Sequence, residues 1–120
     1  MTSSFQFDPA EFADELARAA ENFAVGTRLL HEDERIRVWD LTLAPGERLP
    51  FHRHRTTYFY RCHAGGPTRA RFPDGTGAVY DSVVDEVHVH EIGPDDVVVH
   101  SLENVGDSPL VFTTVELLRG

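Results

Sequence analysis

The chain has 120 residues, 41% hydrophobic and 26% charged, enough for one buried core and too apolar for a disordered chain. Its net charge is −9 and all eleven basic residues are arginines, a balance that argues against nucleic acid as a partner. A single cysteine, Cys62, leaves no intrachain disulfide, and no apolar run reaches the ~20 residues of a membrane helix. No basic segment followed by an apolar one opens the chain, so a cytoplasmic protein is expected, with no membrane partner.

Residues 1–6 read as a loose arm with Phe5 and Phe7 free to dock. Asp8 then offers a cap, Pro9 fits the first helical position, and Glu11 stands three residues after the cap. Phe12, Leu16, Ala19 or Ala20, and Phe23 follow at helical spacing, which predicts an amphipathic helix from about Pro9 to Glu21. A helix this short is marginal alone, so it must pack on a sheet or a partner subunit.

From Thr27 the pattern is β throughout. Strands are predicted over Thr27–His31, Arg35–Leu43, Phe51–His54, Tyr58–Cys62, Thr68–Phe72, Gly77–Tyr80, Glu86–Ile92, Val97–Ser101 and Leu110–Leu117. Ala44-Pro45-Gly46-Glu47, Pro73-Asp74-Gly75, Gly93-Pro94-Asp95 and Gly106-Asp107-Ser108-Pro109 supply turns. Ile36 and Val38 share one strand face and Trp39, Leu41 and Leu43 the other, so a bulge or a change of packing environment is expected near Val38. Many short strands with turn signals every ~8–12 residues indicate an all-β sandwich or barrel. The last strand is apolar on both parities, with Val111, Val115 and Leu117 opposed to Leu110, Phe112 and Leu118, which points to a homodimer interface.

His52 and His54 are one residue apart and therefore share a strand face, and two imidazoles side by side are the usual start of a divalent-metal site. His100 lies downstream in a second β-rich stretch as a candidate third ligand. If the register resumes after a bend at Arg55–Thr57, then Tyr58, Tyr60 and Cys62 follow on the same inner face. His88 and His90 form a second His-x-His, alternating with Val87 and Val89. The simpler reading buries the valines and leaves these histidines on the surface; the opposite parity would bring them inside. His31 and His63 stand at strand ends and read as solvated. Arg69 and Arg71 alternate along one strand face, where Arg69 could hold a substrate carboxylate if that face is inward.

The spacing Gly46, five residues, His52, one residue, His54, three residues, Tyr58, six residues, Gly65 resembles the first motif of the cupin superfamily, with Tyr58 where the family usually carries glutamate. His100-x-x-x-Asn104 resembles the core of the second motif without its usual Pro-x-Gly. Leu43–Glu47, His52–Arg55, Asn104–Asp107 and Val115–Leu117 are similar to segments of small single-domain cupins of a β-alanine-degradation-like subgroup. The resemblance implies a jelly-roll β-barrel over residues 25–120, preceded by an arm and helix over residues 1–24. It also implies one divalent transition metal on His52, His54 and His100, with Asn104 as a supporting residue.

Three neutral imidazoles leave the full charge of such an ion exposed, so a small anionic substrate is expected. Tyr58 can ligate the ion as a phenolate, hydrogen-bond a substrate or O2, or simply fill the interior. Tyr60, Cys62 and Arg69 are the candidate substrate contacts. Iron would suit dioxygenase chemistry, but imidazoles also accept Mn, Ni, Zn, Cu and Co. The alternatives are a metal-assisted isomerase, lyase or cyclase, and a ligand-binding module without turnover.

Overall fold

A computed structural model describes residues 2–118; Met1, Arg119 and Gly120, at the ends of the expected arm and barrel, lie outside them. Ten strands form two five-stranded antiparallel sheets. The first sheet contains β1 (Ser3–Gln6), β7 (Thr76–Ser82), β6 (Gly66–Arg71), β9 (Val98–Asn104) and β4 (Arg48–His54), in that spatial order. The second contains β2 (Arg28–Glu32), β3 (Ile36–Leu43), β10 (Leu110–Leu117), β5 (Tyr58–Ala64) and β8 (Val87–His90). All nine predicted strands are present. Among the described residues no helix is long and apolar enough to cross a membrane.

The expected loose arm is instead a tenth strand. Ser3–Gln6 pairs with β7, and Phe5 lies against Gly77, where an added Cβ would collide with its ring. The strand is short, polar and on an edge, so it carries little of the apolar alternation that reveals a strand in sequence. The predicted helix divides into a 3-10 turn (Pro9–Phe12) and α1 (Ala13–Ala19), and the Asp8 side chain caps it by accepting from the Ala10 amide. Gly46 and Gly75 occupy predicted turns with φ of 85° and 90°, conformations that favour glycine.

The interior between the sheets has two ends. At one, Leu41, Leu43, Leu49, Cys62, Leu110 and Phe112 form a buried apolar core. At the other the side chains stop short and leave a cavity of about 320 Å³. β3 runs opposite β10 in continuous register, and the irregularity expected near Val38 lies in its other neighbour, where Leu30 is the extra residue of β2. Val38 instead lies half-buried on the outer face, beside its cross-strand partner Val115. β10 buries Leu110, Phe112, Thr114 and Glu116 inward, whereas Val111, Thr113 and Val115 are only half-buried on the outer face.

Candidate metal centre

The open end is organised by β4. Between Leu49 and His52 this strand gains one residue relative to β9, and the bulge restores register so that His52 lies directly across from His100. Directly opposed residues on one sheet face bring their side chains within contact distance. His54 follows two positions later on the same face. Bulge and alternation together aim three imidazoles at one point.

Their Nε2 atoms converge: His52 to His54 is 3.1 Å and His54 to His100 is 3.0 Å. All three ligand atoms lie within 4.8 Å of one another, the one such His/Cys/Asp/Glu group among the described residues. Two bonds of about 2.1 Å at right angles would hold nitrogens about 3 Å apart, the separation of His54 from each of the other two. His52 Nδ1 is 2.9 Å from the Pro50 carbonyl, which can only accept, so Nδ1 carries the proton and Nε2 turns its lone pair to the centre. Burial, reinforced by the neighbouring imidazoles, lowers His54 to about 2 and His100 to about 3, and burial also lowers His52. The imidazoles are therefore neutral at physiological pH, the state a metal requires. Three convergent neutral imidazoles, with the Nε2 lone pair of His52 turned to the centre, fit a cation.

β4 is an edge strand, and the N-terminal segment covers its free side. The Phe51 amide, displaced by the bulge, donates to Glu15 Oε2 at 2.8 Å, while Arg48 donates to both oxygens of the same carboxylate. Asn22 donates from its side chain to the Phe51 carbonyl at 3.0 Å and accepts from the Arg53 amide at 2.8 Å. Phe12 packs edge-on against Phe51. The helix thus holds the ligand strand in its bulged register. Neither Glu15 nor Asn22 shows this role in sequence, because each acts on backbone groups along the free edge of β4.

Tyr58, the first residue of β5, is 4% exposed and lies flat on the His54 ring, with centroids 4.0 Å apart and planes within 10°. Its other face stacks on His90 at 4.9 Å. Burial pushes the phenol of Tyr58 up from its usual value, as it does Tyr60 and Tyr80, so all three hydroxyls are protonated. Tyr60 lines the cavity as expected. Cys62 does not; it belongs to the apolar core, borders a second, smaller cavity, and burial raises its thiol. Arg69 also lies elsewhere. It and Arg71 face outward from β6, and both donate to Glu103, at 3.2 and 2.7 Å.

The simpler reading of the second His-x-His is corrected. Val87 and Val89 are the outward residues, 55% and 64% exposed, while His88 and His90 oppose Tyr60 and Tyr58 across the β5–β8 pair. β8 is an edge strand at the cavity mouth, so its outer valines have no layer above them. His90 lines the cavity, and His88 borders the second one, paired with Glu86. His31 pairs with Asp33 and His63 with Thr113, both on the surface.

Asn104 does not approach the imidazoles. It clamps turns, donating to the carbonyls of Leu43 and Ser108 and accepting from the Gly106 amide. Glu116, not singled out in sequence, is buried on the inner face of β10 and accepts from Trp39 Nε1 at 2.8 Å and Arg37 Nε at 2.9 Å. Tyr80, Phe72, Phe112 and Leu102 complete much of the cavity wall. Strand alternation places Tyr80 and Phe112 on a face, but their convergence depends on the pairing of the two sheets.

The architecture matches solved structures of the cupin fold. A cupin domain from Bordetella pertussis Tohama I superposes with a TM-score of 0.66 at 23% identity, covering 80% of this chain and 94% of that one. A conserved protein with a double-stranded β-helix domain from Klebsiella pneumoniae gives 0.59 at 18% identity, over 92% and 87% of the two chains. A sugar phosphate isomerase of the cupin superfamily from Silicibacter pomeroyi gives 0.50 at 19% identity, over 72% and 52%. Comparison with protein-family models and with curated proteins finds no match. The chain has the cupin fold, with a three-histidine cluster suited to a metal.

Proposed function

We propose that this cupin is a metal-dependent enzyme in which His52, His54 and His100 hold one divalent transition metal facing the cavity. The observation that carries the proposal is the convergence of three Nε2 atoms, with the His52 tautomer set by Pro50. The ion supplies Lewis acidity and, if it is iron, the redox chemistry by which dioxygen and a small anionic substrate react. Iron is our first choice, ahead of Mn, Ni, Zn, Cu and Co.

The chain's own residues set the rest. Neutral imidazoles bring no negative charge, so one anionic ligand is favoured at the centre. Tyr58 lies flat on His54 and braces it, and burial raises its phenol in the metal-free protein, which suits a hydrogen-bond donor to bound substrate. Tyr60 contributes a second hydroxyl-bearing ring to the wall. One observation favours a second reading, a metal-assisted isomerase or lyase. His90 lines the cavity beside Tyr58 and Tyr60 without belonging to the ligand cluster, leaving an imidazole free to move a proton. The β-alanine-degradation-like resemblance favours neither reading.

Metal analysis of protein purified from its native host, combined with O2 uptake over a substrate panel, tests this. About one equivalent of iron and O2 uptake lost in His52→Ala supports the oxygenase. Zinc or manganese with O2-independent turnover supports the second reading. No bound metal, unchanged by His52→Ala, overturns both. We further propose a homodimer through the outer face of the second sheet, where Val115 meets Val38 and Phe59 across the strands. Sedimentation of Val115→Glu checks it, the expected result being a monomer.

A further inference from the structure

The expectation of an anionic substrate can be sharpened by asking what else in the cavity could receive a charge. The chain has no lysine, and among the described residues no arginine lines the cavity. Arg69 and Arg71 flank the lining residue Ala70 but project from the opposite face of β6 onto Glu103, and Arg53, Arg55 and Arg61, each next to a lining residue in sequence, do not line the cavity either. Away from the imidazoles, the wall offers aromatic rings, aliphatic side chains and a few hydroxyls. Aromatic faces carry negative electrostatic potential. A carboxylate or phosphate pressed against such a wall loses its hydration without gaining a counter-charge.

The same wall suits an apolar body. Phe72 lies over His100 with ring planes within 23° and centroids 6.3 Å apart, so a group held near His100 would meet a ring face. Tyr60 and Phe112 meet edge to face at 5.6 Å, and with Tyr80 they separate this cavity from the smaller one. The 320 Å³ volume has room for about ten to fifteen non-hydrogen atoms if each takes about the 20–30 Å³ of a close-packed group or a water.

From this distribution of charge we propose that the cavity takes a monoanion with an apolar or aromatic body. Its one charged, oxygen-bearing end would lie at His52, His54 and His100, and its body against Phe72, Tyr60, Tyr80 and Phe112. This rests on the metal reading above, and it excludes substrates with a second anionic group at the far end, such as phosphorylated sugars and long dicarboxylates.

The test uses the full chain titrated with Co(II), whose absorption reports loading and so checks the metal reading by itself. Benzoate, acetate and terephthalate are then titrated into the loaded protein. Benzoate should bind at least about tenfold more tightly than acetate, since only benzoate buries a phenyl ring against the wall. Terephthalate, which differs from benzoate only by a far carboxylate, should bind at least about tenfold more weakly. Phe72→Ala, at a partly exposed position that tolerates truncation, should weaken benzoate severalfold and leave acetate unchanged. Terephthalate binding as well as benzoate, or acetate matching benzoate, overturns the proposal. If cobalt does not load, p-cresol and 4-hydroxybenzoate are compared on the metal-free protein by ligand-observed NMR. Binding of p-cresol alone, weakened by Phe72→Ala, supports the apolar cavity; no binding, or a preference for 4-hydroxybenzoate, overturns it.

Discussion

Two His-x-His segments stand on edge strands of opposite sheets, and both turn their imidazoles inward. On β4, His52 and His54 are 1% and 3% exposed, whereas His88 and His90 on β8 remain solvent-accessible. The difference lies in the neighbouring strand. β9 presents His100 across from His52, so a third nitrogen completes the cluster. β5 presents Tyr58 and Tyr60 across from His90 and His88, so His90 stacks on Tyr58 and His88 lies tilted against Tyr60. The free side of β4 is closed by Glu15 and Asn22, while the outward face of β8 carries exposed valines. Spacing sets the face of a histidine pair; the cross-strand partner and the cover decide its chemistry.

The sharpest way to break the comparison is to remove the third imidazole. His100→Ala should weaken Co(II) binding by more than the roughly 10- to 100-fold typical of losing an outer partner, measured by competition with a chelating dye. His90→Ala should change it by no more than a few-fold. Equal losses would mean that the two pairs are not distinct.

Tyr58 is the ring shared by both segments, stacked on His54 and on His90. Tyr58→Ala should cost about 3–5 kcal/mol in urea unfolding, because a buried ring leaves a cavity between the sheets. Tyr58→Phe keeps both stacks and should cost less than about 1 kcal/mol. A large loss of turnover in Tyr58→Phe with metal affinity retained would assign the hydroxyl to substrate.

The cover of β4 is tested next. Glu15→Ala leaves the Phe51 amide without its acceptor and Arg48 without its partner, and should cost about 1–3 kcal/mol. It should also lower metal affinity by loosening the bulge. Unchanged affinity alongside reduced stability would show that the bulge holds without its clamp.

Acid distinguishes the pairs with a smaller effect. Burial holds His54 near 2 and His100 near 3, below the 6.5 of an exposed imidazole, so below pH 6.5 the unfolded chain binds more protons than the native one. Stability is therefore present above that value and falls as pH drops from about 6.5 toward 3, by up to about 1.4 kcal/mol per pH unit for each such imidazole. Thermal melts of metal-free protein at pH 7 and pH 5 should show this decline. His88→Ala, which removes an exposed pair with Glu86 and a tilted contact with Tyr60, should shift stability by less than about 0.5 kcal/mol and leave the pH slope intact. Loss of the slope in His88→Ala would reverse the assignment.

Much of this was legible in the sequence for a simple reason: alternation is local. The nine strands, the turns at Gly46 and Gly75, and the shared face of His52 and His54 all follow from period-2 patterning and glycine conformation. What escaped depends on pairing across the chain. The bulge before His52 compensates register against β9, the strand at Ser3–Gln6 exists because β7 has an open edge, and Glu116 is buried by Trp39 and Arg37 from another strand. The inward turn of His88 and His90 was missed because the valine/histidine alternation is ambiguous until the partner face, Tyr58 and Tyr60, is known.

The central claim is that His52, His54 and His100 jointly hold one ion. X-ray absorption at the cobalt edge of protein loaded with one equivalent of Co(II) tests it most directly. The account predicts three imidazoles at about 2.1 Å, no sulfur from Cys62, and a spectrum unchanged by His88→Ala and His90→Ala. Fewer than three imidazoles, or a spectrum altered by those two substitutions but not by His54→Ala, would contradict it.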